Sequence, residues 1–151
     1  MKIHELTVVQ LRDALEAGRL TSVDIVRALH ARSDAVDGVL NVWVQEDRKA
    51  ALTRAEEADR ARAKGESWGP LHGIPMTVKE NLAMTGTAQT MGIRWRLDQA
   101  SDRDAVIVAA ARNAGAVILG KTNVPLLLLA METHNDLYGT TYNPWNTERA
   151  P

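Results

Sequence analysis

The chain has 151 residues, 45% of them hydrophobic, enough for one domain or part of a larger one to bury a sizeable core. Eighteen Lys and Arg stand against nineteen Asp and Glu, so no global field draws in nucleic acid, anionic lipid or a polyanionic substrate. There is no cysteine, which excludes disulfides, thiolate catalysis and Cys-ligated zinc.

Charges recur through the opening MKIHELTVVQLRDALEAG, where a signal peptide needs an uninterrupted apolar stretch, and a cytoplasmic location is expected. Thr7 with Gln10 reads as a capping box, and Val8, Leu11 and Leu15 follow at helical spacing until Gly18 stops the helix. Thr21 with Asp24 marks a second helix start, with Ile25, Val26 and Leu29 as its buried stripe and an end near Gly38. Val39 to Val44 reads as extended. From about Asp47 to Lys64 alanines dominate, Glu56 and Arg60 form an i,i+4 pair and Gly65 closes the segment, predicting a third, mostly solvent-facing helix.

Gly-Pro and Gly-Ile-Pro punctuation then introduces Ile74 to Lys79, a strand beginning near Pro75. Residues 81–101 lack periodicity and read as irregular. A helix starting at Asp102 or Asp104 carries Val106, Ala109, Ala110 and Asn113, ends at Gly115 and leads directly into a buried strand, Ala116 to Leu119. That helix-to-strand order points to α/β architecture. The apolar run Val124 to Met131, broken by Pro125, falls far short of the roughly 20 residues of a membrane span. No interaction with membrane is expected.

Gly115 to Thr122 satisfies the letter of the phosphate-loop pattern, G-x-x-x-x-G-K-[ST]. A phosphate cradle needs a strand before its first glycine and a flexible loop between the two. Here a helix precedes and the intervening residues are β-forming, so the segment reads as a strand. His4, His30, His72 and His134 show no metal-ligand spacing, and neither a metal nor a cofactor is expected. Of the serines Ser22, Ser33, Ser67 and Ser101, none lies in a G-x-S-x-G elbow.

Lys79 stands out by position. A lysine at a strand end is by default a solvated charge, but α/β folds place their sites where core strands end. A lysine desolvated there loses its preference for the charged form and becomes able to accept a proton from a hydroxyl.

The segment GPLHGIPMTVKEN, Gly69 to Asn81, resembles the opening motif of the amidase signature family. ARNAGAVILGKTNVP, Ala111 to Pro125, is similar to the helix, strand and loop that follow in that family, and NDLYGTTYNPWNTERAP, from Asn135, is similar to the approach to its glycine and serine rich signature. The ELT and LTSVDIV segments of the first two helices also resemble its N-terminal region. The resemblance implies an α/β fold with a mixed central sheet flanked by helices, of which residues 1–151 are the front part, mainly helical over 1–65 and entering the core over 69–151. It implies hydrolysis of carboxamide C–N bonds by a Ser, cis-Ser, Lys triad in which Lys79 is the base. The GGSSGG-like run carrying the serines is then expected beyond Pro151, leaving the chain inactive alone. Glu80 stands where Asp is frequent, and Leu126 to Leu129 replace a stretch that is more polar in many relatives, among them the A-type subunits of tRNA-dependent amidotransferases.

The expected partners are a small-molecule amide in the full-length protein, with self-association or a complementing C-terminal segment for the chain itself. Two other readings remain open: a non-catalytic interaction module that completes its sheet with another chain, and an A-type subunit fragment of a tRNA-dependent amidotransferase.

Overall fold

The computed structural model describes residues 2–151. The first helix, α1, spans Val8–Glu16 and opens on the expected capping box: Thr7 Oγ1 accepts the Gln10 N–H, and Gln10 Oε1 accepts the Thr7 N–H at 2.8 Å. Gly18, at φ 65°, takes the left-handed conformation that stops it. Helix α2, Ser22–Leu40, begins with a similar exchange between Thr21 and Asp24. Asp59 of α3, Arg48–Ala63, adds a tertiary cap, its two carboxylate oxygens accepting the N–H groups of Ser22 at 2.7 Å and Val23 at 3.1 Å.

Helix α2 runs past Gly38 and takes up Val39 and Leu40, which the apolar pattern reads as extended. Asn41 breaks it at φ 52°, and the Asp37 carboxylate collects the Val42 N–H at 2.7 Å and that of Trp43. Strand β1 is therefore later than expected, Trp43–Glu46. Along α3 a narrow face of Ala51, Ala55, Ala58 and Ala61 is buried, while Lys49, Thr53, Glu56 and Arg60 face solvent.

Strand β2, Pro75–Lys79, lies where the sequence puts it. Helix α4, Val106–Asn113, starts later than either aspartate, because the residues before it are engaged: the Asp104 carboxylate accepts the Thr85 N–H and the Ala105 N–H donates to Ala83 O. Strand β3, Val117–Thr122, extends beyond Leu119 and occupies the centre of a three-stranded sheet of order β1-β3-β2. It is antiparallel to β1, with Gln45 opposite Lys121 and Glu46 opposite Gly120. Toward β2, the Val117 N–H donates to Ile74 O and the Glu80 N–H to Thr122 O, so those two strands run the same way and the sheet is mixed. A small hairpin of β4, His134–Asn135, and β5, Gly139–Thr140, follows. Residues 81–101 are irregular, with one 3₁₀ turn at Arg94–Arg96 and isolated bridges from Thr85 to Ser101 and from Ala88 to Ala100.

The chain divides into two compact units. The first takes the residues up to Ala35, with Asp47–Met76 and Ala110–Leu119. Its core clusters Leu11, Leu15, Ile25 and Ile74, with Ile3, Leu6, Leu20, Leu29 and Leu71 packed around them. The second comprises Val36–Glu46, Thr77–Ala109 and Gly120–Pro151, and it buries Glu80, Thr90, Lys121, Asn123 and Asn135 beside apolar groups. No helix of the described residues is long and apolar enough to cross a membrane.

Candidate active site

Residues 74–80 alternate as a strand should. Val78 is buried, Lys79 is the last residue of β2 with its side chain exposed, and Glu80 turns inward with 1% of its surface accessible. The expectation of a desolvated Lys79 is not met within these residues. The lysine that burial desolvates is Lys121, next to the end of the run that imitates a phosphate loop.

Lys121 has no accessible surface, and its Nζ donates to Ala88 O at 2.6 Å. Burial holds its pKa below the usual lysine range, and the negative charge of Glu80 opposes that shift. The Glu80 carboxylate accepts the N–H groups of Thr90 at 2.5 Å and Met91 at 2.9 Å. Thr90 Oγ1 donates to the Tyr138 phenol at 3.2 Å, and burial pushes that phenol's pKa up. Glu80, Lys121 and Tyr138 line a cavity of about 310 Å³, together with Gln45, Thr87 and Asp98. Gly120 admits β1 to this region: at φ 156° it has backbone so close that an added Cβ would lie 2.3 Å from Gln45 O. The two glycines of the false phosphate loop thus end a helix and allow a close strand approach.

The other sequence candidates are dispersed. Ser22 and Ser33 lie on α2, Ser67 in the turn after α3, and Ser101 in the bridge to Thr85. His72 is buried as a structural link, its Nδ1 accepting the Trp68 N–H at 2.9 Å, which leaves Nε2 to donate to Ala58 O. Among the described residues no group of His, Asp and Glu is arranged to hold a metal ion.

A family model described as Amidase matches residues 24–151, most of the chain. The chain belongs to the amidase signature family. Among curated relatives, the A-type subunit of the glutamyl-tRNA(Gln) amidotransferase from Moorella thermoacetica is 36% identical over the whole chain and 31% of its own length. An acylamidase of Rhodococcus erythropolis is 37% identical over 95% of the chain and 30% of its own length. The solved peptide amidase of Stenotrophomonas maltophilia superposes with a TM-score of 0.87 at 32% identity, over 97% of this chain and 31% of that one. A fatty acid amide hydrolase superposes with a TM-score of 0.90 at 27% identity, covering 96% of this chain and 26% of its own. The chain therefore spans about a third of the length of these relatives, and the mixed α/β architecture expected from the motifs is the one they share.

The sequence reading missed Glu80 and Lys121 as a pair. A signal was present: a lysine two residues after the apolar run Ala116 to Leu119 sits inside a buried strand if that strand continues. For Glu80, alternation from Val78 places it on the same inward face.

Proposed function

We propose that Lys79 is the general base of an amidase-type hydrolase that cleaves carboxamide C–N bonds through a Ser, cis-Ser, Lys triad. The observation that carries this reading is the GIPMTVK segment forming β2, with Lys79 as its last residue at the strand end. Both serines of the triad would come from residues outside these 151, and the four serines present are not assigned to it. In the proposed cycle Lys79 takes a proton from the bridging serine, which takes that of the nucleophile. The nucleophilic oxygen bonds to the carbonyl carbon, the amine departs with a proton, and water releases the carboxylate from the acyl-enzyme. Desolvation favours a neutral amine, so the role calls for the face bearing Lys79 to be covered. On this reading the 151 residues are the front of one amidase-signature domain, helical to about residue 65 and core-forming from Gly69, in a cytoplasmic protein acting on a small-molecule amide.

Exposed Leu126 to Leu129 and Met131 favour association of the chain with a second copy or with a complementing segment. In the whole protein, Lys79→Ala is expected to lower burst acylation by about 10² to 10⁴-fold or more with the circular dichroism of the fold retained. A variant that acylates at the wild-type rate makes Lys79 a surface lysine. The identity to the A-type subunits of amidotransferases favours a second reading, in which the same base serves an amidotransferase. Hydrolysis of a simple carboxamide by the protein without other subunits separates the two.

A further inference from the structure

Consecutive residues of one turn are each tied to the end of β2 or to its neighbour β3. Ala88 O accepts from Lys121 Nζ at 2.6 Å, the Gln89 side-chain amide donates to Asn81 O at 2.5 Å, and the N–H groups of Thr90 and Met91 both donate to the Glu80 carboxylate. Glu80 and Asn81 directly follow Lys79, and the Glu80 N–H is itself held by Thr122 O at 2.9 Å. We propose that Glu80 and Lys121 are positioning residues for Lys79, clasping the Ala88–Met91 turn against the end of β2 and so fixing where the base leaves the sheet. The inference rests on the reading of Lys79 as the base.

Three physical arguments support it. In a strand, consecutive side chains point to opposite faces, so the inward anchor of Glu80 sets the outward direction of Lys79. A charged group can be buried only where hydrogen bonds replace its water, and Glu80 and Lys121, each buried, find those bonds in backbone atoms of the same short segment. The backbone at the end of the clasped segment, and in the segment bonded to it, is also strained. The Leu127 N–H donates to Met91 O at 2.9 Å, and Met91, Leu127 and Leu128 hold positive φ of 51°, 51° and 62°. Such non-glycine outliers cluster at functional sites and persist only where the surroundings hold them. The pinned turn is that surrounding structure.

The test is single-turnover acylation by the whole protein carrying Glu80→Ala, Glu80→Gln, Lys121→Met, or Glu80→Gln with Lys121→Met, with Lys79→Ala run alongside. Displacing a catalytic group by about 1 Å costs on the order of 10²-fold, so Glu80→Ala and Lys121→Met are expected to slow acylation by about 10- to 100-fold with KM unchanged. Glu80→Gln, which keeps one acceptor for the turn, should fall between Glu80→Ala and wild type. The double variant buries no unpaired charge and should keep the near-UV circular dichroism of the folded protein while remaining slow. If Glu80→Ala does not fold, the double variant carries the comparison. A folded double variant at the wild-type rate, or rate losses that merely follow the unfolded fraction, overturns the clasp. Lys79→Ala inactive beside clasp variants at full speed sinks the clasp alone, whereas Lys79→Ala at full speed removes the base reading and the clasp with it.

Discussion

The two units of the chain solve burial differently. The first hides mostly carbon: Leu11, Leu15 and Ile25 from α1 and α2, Ile74 before β2 and the alanine face of α3 exclude water by shape, with Ser22, His30, Ser33 and His72 as its buried polar residues. The second hides nitrogen and oxygen, and commits side chains to the backbone of irregular segments. Asn135 is the extreme case, fully buried and using its whole hydrogen-bonding capacity. Its amide donates to Asn123 Oδ1 at 2.9 Å and Val124 O at 2.8 Å, and its carbonyl accepts the N–H groups of Leu137 and Tyr138. Helices satisfy their own backbone and need only an apolar face, whereas irregular segments must borrow partners from side chains. The candidate active site belongs to the second kind of interior, where a fixed backbone depends on a few polar groups.

The two interiors should respond to different injuries. Leu15→Ala in the apolar unit is expected to cost about 2 to 5 kcal/mol, measurable as a lower urea midpoint at constant m. Asn135→Ala in the polar unit removes little apolar volume but orphans buried groups, at about 1 to 3 kcal/mol for each that water does not reach. Its distinguishing readout is faster hydrogen exchange at Leu137 and Tyr138 with α1 unaffected. Equal loosening of α1 by that change would erase the contrast between the units.

A smaller effect separates them by pH. Burial holds Lys121 below its usual 10.5 in the folded protein, so just below that value the unfolded chain binds more protons and stability rises with pH. Tyr138, raised above its usual 10.0, contributes stability that is present below that value and lost as pH rises through its folded pKa. Lys121→Met should therefore flatten the rise below pH 10.5 and leave the loss above 10.0 in place. Stability curves of the two proteins that run parallel through this range contradict the assignment to Lys121.

The same contrast explains what the sequence disclosed. Capping by Thr7 and Gln10, the buried Leu11 and Leu15 of α1, the α2 stripe and the bounds of β2 follow from local rules, periodicity and glycine or proline punctuation, and they stand in the structure where those rules put them, whereas Val8 of the α1 pattern is exposed. The end of α2 escapes those rules because Asp37 reaches ahead to Val42, a side-chain preference that hydrophobic pattern does not encode. Strand β3 runs past Leu119 because Gly120 and Lys121, which look like loop residues on their own, are flanked by β1 and β2. Of the candidate site, the position of Lys79 is readable from its motif and strand. Glu80, Lys121 and the turn they hold are not, because their partners are backbone atoms of an aperiodic segment.

The central proposal is that Lys79 is a base whose nucleophile is none of the four serines among these 151 residues. It is tested most directly by exposing the purified chain to a fluorophosphonate probe and a simple aryl amide, with mass spectrometry of the tryptic peptides. The expected result is no labelled serine and no turnover. Stoichiometric labelling at Ser22, Ser33, Ser67 or Ser101, together with amide hydrolysis, would contradict it.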